Sequence, residues 1–117
     1  MPNIHLKRIY DPYSKEDGYR ILVDRLWPRG IKKEKAHIDK WLKEVSPSNA
    51  LREEFHHQPE KWEKFIAAYH SELKGSDAFA ELEADIAKHK IVTLLYAAKD
   101  TAYNNAVALQ KFIAHKS

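Results

Sequence analysis

Residues 91–96 are Ile91-Val92-Thr93-Leu94-Leu95-Tyr96, an almost unbroken apolar run. A second run of this kind, Tyr19-Arg20-Ile21-Leu22-Val23-Asp24, lies in the first quarter of the chain. Runs of this length and character are typical of strands that are buried on both faces of a sheet. The sequence therefore predicts two interior strands, around which the other elements have to pack.

Two more segments have weaker patterns. The segment 4–10 alternates in apolar character, which predicts a strand that ends at Asp11-Pro12. The segment 38–45 has apolar residues at helical spacing, namely Ile38, Trp41, Leu42 and Val45. A helix is favoured there, although a strand stays open because the segment is short and Val45 is β-branched.

Helical patterns separate the strands. The clearest one places Trp62, Phe65, Ile66, Tyr69 and Leu73 on one face, and Gly75 supplies the stop. Ser48 and Ser76 are the expected N-caps of two other helices, with Leu51 and Phe55 facing inward on the first and Phe79, Leu82 and Ile86 on the second. A last helix is predicted from about Ala102 to His115, with Ala102, Ala106, Leu109 and Ile113 on its inner stripe.

Strands separated by helices indicate an α/β fold, a small helix-covered sheet with mostly parallel strands. The length of 117 residues is that of one compact domain, so residues 1–117 are predicted to form a single unit. The link between the first two strands is short for a parallel crossover. That pair is therefore expected to be antiparallel or non-adjacent.

Composition limits the class of protein. The chain is 44% hydrophobic and 32% charged, which is globular rather than disordered, and no apolar run is long enough for a membrane span. It contains no cysteine, so disulfides and thiol chemistry are excluded and a cytoplasmic location is expected. A net charge of +3 permits binding to an anion without requiring it. We expect a monomer or a homodimer.

Polar residues follow both interior strands at the points where the strands end. They are Asp24, Arg25 and Arg29 after the first strand, and Lys99, Asp100, Asn104 and Asn105 after the second. If the two strands are parallel, these residues share one edge of the sheet, where ligands of open α/β sheets bind. The sequence therefore predicts a polar site at this edge.

The residue types at this edge suit an anion. Arginine grips a carboxylate or phosphate through two hydrogen bonds, and Lys99 near a charge could act as a base. Asp24 and Asp100 need partners because a buried carboxylate is costly, and the neighbouring cations Arg25, Arg29 and Lys99 are the expected ones. A structural interpretation is also open, in which Asp100 only caps the last helix and an ion pair fixes the turn.

No metal or cofactor is indicated. His56 and His57 are adjacent and lie in no known zinc-binding pattern. The three glycines cannot build a dinucleotide fingerprint or a phosphate-binding loop. The cofactor, if any, is unknown at this stage.

Three stretches of the chain resemble a known family. They are Asp24-Arg25-Leu26-Trp27-Pro28-Arg29-Gly30, Ser46-Pro47-Ser48, and Leu94-Leu95-Tyr96-Ala97-Ala98-Lys99-Asp100 with Asn104-Asn105-Ala106. They are similar to the YeaO-like family of small bacterial proteins, a branch of the domain of unknown function 488. The likeness covers nearly the whole chain, and the family offers no activity to transfer.

The resemblance implies a set of site residues. It adds His57, because His57-Gln58-Pro59 matches a His-Asp-Pro segment, but Gln58 replaces the usual Asp and Tyr103 stands where His is common. Mechanisms that need a carboxylate or an imidazole at those positions are therefore doubtful. The predicted catalytic residues are Asp24, Lys99 and Asp100, and the predicted ligand-binding residues are Arg25, Trp27, Arg29, His57, Tyr96, Asn104 and Asn105.

Three functions compete at this stage. The first is a site for a small molecule that carries a phosphate or carboxylate, with or without catalysis. The second is a nucleic-acid accessory protein that uses basic side chains on phosphates, namely Arg25, Arg29, Lys32, Lys33 and Lys35; it ranks lower because acidic residues are mixed among the basic ones. The third is a non-enzymatic interaction protein whose polar cluster only fixes a turn.

Overall fold

A computed structural model describes residues 3–56 and 58–116, the side chain of Lys116 excepted. Four parallel strands form one sheet in the order β1-β4-β2-β3. They are β1 (Asn3–Arg8), β2 (Tyr19–Leu22), β3 (Lys40–Trp41) and β4 (Ile91–Tyr96). The predicted α/β class is confirmed. The strands β1 and β2 are non-adjacent because β4 lies between them, which resolves the alternative left open by their short link.

Five helices accompany the sheet within the described residues. They are α1 (Lys33–Ala36), α2 (Asn49–Phe55), α3 (Trp62–Leu73), α4 (Asp77–Lys88) and α5 (Asn105–Lys116). Short 3₁₀ turns at Lys15–Asp17, Lys43–Val45 and Pro59–Lys61 complete the described elements. Among the described residues no helix has the length and apolar character needed to cross a membrane.

The predicted helix caps are confirmed. The Ser48 hydroxyl accepts a hydrogen bond from the Leu51 N–H at 3.2 Å, and the Ser76 hydroxyl accepts one from the Phe79 N–H at 3.0 Å. These bonds satisfy N–H groups that the first helical turn leaves free. The sequence thus defined both helix starts correctly.

The helix favoured over the segment 38–45 is wrong, and the strand that stayed open there is found in part of it. Its residues form β3 and a 3₁₀ turn, with Lys40 paired to Ile21 of β2. The Asp39 carboxylate also accepts a hydrogen bond from the backbone N–H of Arg20 at 2.8 Å, and the Asp39 N–H donates to the Arg20 carbonyl at 2.9 Å. Pairing to a neighbouring strand outweighs the helical spacing of so short a segment.

The predicted start of the last helix is also wrong. Ala102 is exposed and lies in a turn before α5. The Asp100 carboxylate accepts hydrogen bonds from the N–H groups of Ala102 and Tyr103, both at 2.9 Å. The cap of α5 is Asn104 instead, whose side-chain oxygen accepts from the Val107 N–H at 2.9 Å.

Both faces of the sheet are covered, as the unbroken apolar runs predict. Ile21 and Leu94 face the larger core, which contains residues from α2, α3, α4 and α5. Leu22 and Leu95 face a smaller cluster that includes Ala36 of α1. The adjacent residues of each strand thus point into different cores, because side chains alternate along a strand. Burial on both sides leaves the strand ends as the natural place for a polar site.

Candidate functional site

A cavity of about 390 Å³ lies beyond the carboxyl ends of β2 and β4. These strands are adjacent and parallel, so the segments that follow them meet there. The lining residues are Tyr10, Asp24, Arg25, Leu26, Trp27, Pro28, Arg29, Ser46, Pro47, Arg52, Phe55, Phe65, Ala97, Ala98, Asn104 and Asn105. A cleft therefore lies at the edge of the sheet where the sequence predicts the polar site.

Asp24 connects the three segments that frame the cavity. One carboxylate oxygen accepts a hydrogen bond from the Ala97 N–H at 2.8 Å, and the other accepts from the Asn105 side-chain amide at 3.1 Å. Burial raises the pKa of this carboxyl, although both hydrogen bonds and the charge of Arg52 act to lower it. The partners of Asp24 are thus amides, where the sequence favoured a neighbouring cation.

The loop after β2 is held by hydrogen bonds from aromatic side chains. The Trp41 indole donates to the Asp24 carbonyl and the Trp27 indole to the Ile31 carbonyl, both at 2.7 Å. The Tyr10 hydroxyl donates to the Arg29 carbonyl at 2.8 Å. Fixed in this way, the loop carries two arginines to the cavity at low cost in chain entropy when a ligand binds.

Arg25 has few partners for a half-buried arginine. One terminal nitrogen donates to the Ser46 carbonyl at 3.5 Å, at the far limit of hydrogen bonding. Its Nε is buried and has no hydrogen-bond partner among the described residues. A buried donor without an acceptor costs roughly 1–3 kcal/mol, so an acceptor for the Nε of Arg25 would be stabilising.

Two more arginines line the cavity. Arg29 is exposed on the loop after β2, and Arg52 is exposed on α2, where it donates a hydrogen bond to the Asn49 side chain. Arg52 lies near enough to Asp24 for its charge to affect that carboxyl. With Asp24 ionised, the lining carries three positive charges and one negative charge.

Asn104 and Asn105 have structural partners on this edge. Asn104 is buried, caps α5, and donates to the Asp100 carbonyl at 2.8 Å. Asn105 donates to Asp24 and, at 3.1 Å, to the Val23 carbonyl. Both line the cavity and hold the start of α5 against the end of β2.

Comparison with known proteins identifies the family. A model described as the inactive DUF488-N3 subclade matches residues 3–117. The chain belongs to this subclade. It is 48% identical to the uncharacterized protein YeaO of Escherichia coli, over 95% of this chain and 96% of the relative. It is 38% identical to the uncharacterized protein Rv3073c of Mycobacterium tuberculosis, over 94% and 92%. The resemblance to YeaO-like proteins is confirmed, and no solved structure matches the chain.

Within this member of the DUF488-N3 subclade, not every predicted site residue lines the cavity. Lys99 is exposed and Asp100 is engaged in the turn before α5; neither contributes to the cavity wall. Tyr96 is 4% exposed and is not among the lining residues, and burial raises the pKa of its hydroxyl. His57 lies outside the described residues. The catalytic roles assigned to Lys99 and Asp100 stay predictions.

Sequence reasoning missed Arg52 and the aromatic wall that Phe55 and Phe65 contribute. The pattern did place Phe55 on the inner face of α2, and Arg52 is one turn earlier on the same side of that helix. What it lacked was the position of α2 relative to the strand ends. No group of three or more His, Cys, Asp or Glu side chains suited to a metal occurs within the described part of the chain.

Proposed function

We propose that this protein binds a small molecule bearing a phosphate or carboxylate in the cavity beyond β2 and β4. The observation that carries the proposal is the buried Nε of Arg25, a cationic donor without an acceptor in the described structure. An anionic oxygen is the acceptor that would satisfy it best, because charge-assisted hydrogen bonds are about twice as strong as neutral ones. The ligand would complete a hydrogen-bonding scheme that the chain leaves open.

The charge of the lining supports an anion rather than a cation or a neutral molecule. Arg25, Arg29 and Arg52 reach the cavity from two different segments, whereas Asp24 is the only acidic residue among the lining residues. Asp24 already accepts hydrogen bonds on both oxygens. It therefore serves to position the wall of the cavity, while the arginines are available to the ligand.

Binding without catalysis is the simpler form of this proposal. The family is described as an inactive subclade, and Lys99 and Asp100, the predicted base and its neighbour, lie off the cavity wall. Each oxygen of Asp24 already accepts a hydrogen bond from an amide that frames the cavity, which suits a positioning role. These facts favour recognition of the anion over its chemical conversion.

A thermal-shift titration tests the proposal with inorganic phosphate, acetate and a panel of small organic phosphates and carboxylates. Wild type should be stabilised by about 2.7 kcal/mol at a ligand concentration 100 times Kd. Arg25→Met should lose this response, because the unsatisfied donor is removed. The matched control is Lys33→Ala, which removes a positive charge from an exposed position away from the cavity and should keep the response.

Two outcomes would contradict the proposal. One is that no anion of the panel stabilises the wild-type protein. The other is that anions stabilise wild type, Arg25→Met and Lys33→Ala equally, as a general salt effect does. If nucleic acid stabilises the wild-type protein, and this stabilisation falls as much in Lys33→Ala as in Arg25→Met, the protein would instead be a nucleic-acid accessory protein that binds the phosphate backbone.

A further inference from the structure

The segments that bring arginines to the cavity also bring apolar residues to its lining. Leu26 directly follows Arg25, and Phe55 lies one helical turn after Arg52 on α2. Pro47 follows Ser46, whose carbonyl is the acceptor for Arg25. A molecule whose anionic group reaches the arginines would therefore have apolar side chains in the lining of the same cavity.

The apolar surface comprises a buried floor and an exposed rim. Phe55 and Phe65 are 5% and 4% exposed and stack at a centroid distance of 4.5 Å, which gives the floor a fixed shape. Leu26 is 70% exposed at the rim, the highest exposure among the large apolar side chains of the described residues. Leu26 is exposed on the loop that carries Arg25 and Arg29. An apolar group that covered its side chain would remove apolar surface from water, which is favourable.

The volume of the cavity agrees with a ligand larger than a simple ion. A volume of about 390 Å³ falls within the range of sites for small organic molecules, roughly 300–1,000 Å³. A phosphate ion bound to Arg25 would fill only a part of this space. The rest of the cavity, lined in part by aromatic and aliphatic side chains, would stay unfilled.

We infer that the ligand is an organic anion in which an apolar, ring-sized group lies next to the phosphate or carboxylate. This inference rests on the proposed function, since it specifies the ligand class of the same cavity. The anionic group would bind Arg25, with Arg29 and Arg52 nearby, while the ring would cover Leu26 and contact Phe55. Inorganic phosphate would then be a weak ligand of the same site.

Isothermal titration of matched probes tests the inference on the full chain. The phosphate probes are inorganic phosphate, methyl phosphate and phenyl phosphate, and the carboxylate probes are acetate and benzoate. Phenyl phosphate should bind at least about tenfold tighter than methyl phosphate, because the ring adds apolar area that binding removes from water. Benzoate should exceed acetate in the same way, and the tighter of the two aromatic probes identifies the anionic group.

Two variants assign the preference to the cavity. Leu26→Ser changes an exposed side chain and should fold normally; it should weaken phenyl phosphate more than methyl phosphate and so reduce the phenyl-to-methyl ratio. Arg25→Met should weaken all the anions. Methyl phosphate thus serves as the internal control for the Leu26 variant.

The outcomes separate the two proposals. If methyl and phenyl phosphate bind wild type equally and both depend on Arg25, the apolar part of the ligand is refuted and anion binding stands. If neither phosphates nor carboxylates bind wild type, the proposed function fails and this inference with it. If phenyl phosphate binds tightly but equally in Arg25→Met, the cavity is an apolar site and both proposals fail.

Discussion

Two arginines five positions apart show how differently the same side chain is used. Arg20 is 2% exposed, and its guanidinium donates to the carbonyls of His37 at 2.9 Å and Ala36 at 3.2 Å, and to the carboxylate of Asp17. Arg25 has one bond at 3.5 Å and a buried Nε without a described partner. Among the described residues, the chain supplies an anion for Arg20 and none for Arg25. The difference separates a cation that is paired within the fold from one that is not.

Asp17 and Asp24 differ in the same way, because one is paired with cations and the other is bonded by amides. Asp17 accepts from Lys7, Arg20 and the Ser14 N–H. Burial alone would raise the pKa of Asp17, but these hydrogen bonds outweigh it and the pKa is lowered. Asp24 is bonded by amides, so burial prevails and its pKa is raised. The pKa of a carboxyl paired with cations and that of a carboxyl bonded by amides are thus shifted in opposite directions.

Asp17→Asn should give the largest effect. It leaves the buried guanidinium of Arg20 without an anion, and breaking a buried pair in this way costs about 3–5 kcal/mol. Urea denaturation at pH 7 measures the change. The double variant with Arg20→Met should recover much of the loss, because no charge is then left buried and unpaired. Additive losses would mean that the two residues do not act as a pair.

The cost of Asp17→Asn should also depend on pH. A carboxyl whose pKa is lower in the folded state contributes stability above its ordinary value of 3.8 and loses it as the pH falls through the folded value. The difference in free energy of unfolding between wild type and variant should therefore be constant near neutrality and shrink below about pH 4. A difference that grows on acidification would contradict the assigned hydrogen bonds.

How much of this was visible in the sequence depends on how local each feature is. Short sequence patterns predicted the strand 91–96 and the caps Ser48 and Ser76. The rule that ligand sites lie at the carboxyl ends of parallel strands predicted that the segments near Asp24 and Asn105 meet. The network around Arg20 was not predicted, because its partners are backbone carbonyls of a left-handed turn at His37 and Ala36. No residue-type pattern marks carbonyls that only tertiary structure brings together.

The candidate site was likewise predictable only where its residues follow from local sequence patterns. Asp24, Arg25, Arg29, Asn104 and Asn105 were predicted, and the cavity includes all of them. Arg52 comes from α2, whose position over the strand ends is decided by packing against α3 rather than by its own sequence. The short segment 38–45 was interpreted as a helix because its spacing is helical, whereas its two-residue pairing to β2 depends on a strand almost twenty residues away.

Arg25→Met should have a small effect of the opposite sign to Asp17→Asn. It removes a buried donor without a described partner and keeps an unbranched side chain that reaches about as far as Nε, so the protein without added anion should be unchanged or more stable by up to about 1 kcal/mol. Urea denaturation without added anions checks this, and Lys33→Ala controls for the loss of one positive charge. A loss of several kcal/mol would show that Arg25 is a structural residue like Arg20.

The smallest expected effect is a shift in the pKa of Asp24, followed by carbon-13 NMR of the side-chain carboxyls. Asp24 should titrate above 3.8 and Asp17 below it. Arg52→Gln should raise the pKa of Asp24 further, because the charge of Arg52 favours the ionised form, and should leave Asp17 unmoved. A pKa of Asp24 at or below 3.8 would contradict its burial.

Added anion extends the same titration to the ligand. A bound anion beside Asp24 opposes ionisation of the carboxyl, so saturating phosphate should raise the pKa of Asp24 in wild type. The shift should be absent in Arg25→Met if Arg25 holds the anion, whereas Asp17, whose cluster is already complete, should titrate alike in both proteins. Because this readout sits on a residue of the cavity wall, it distinguishes an anion bound there from anions that stabilise the protein elsewhere.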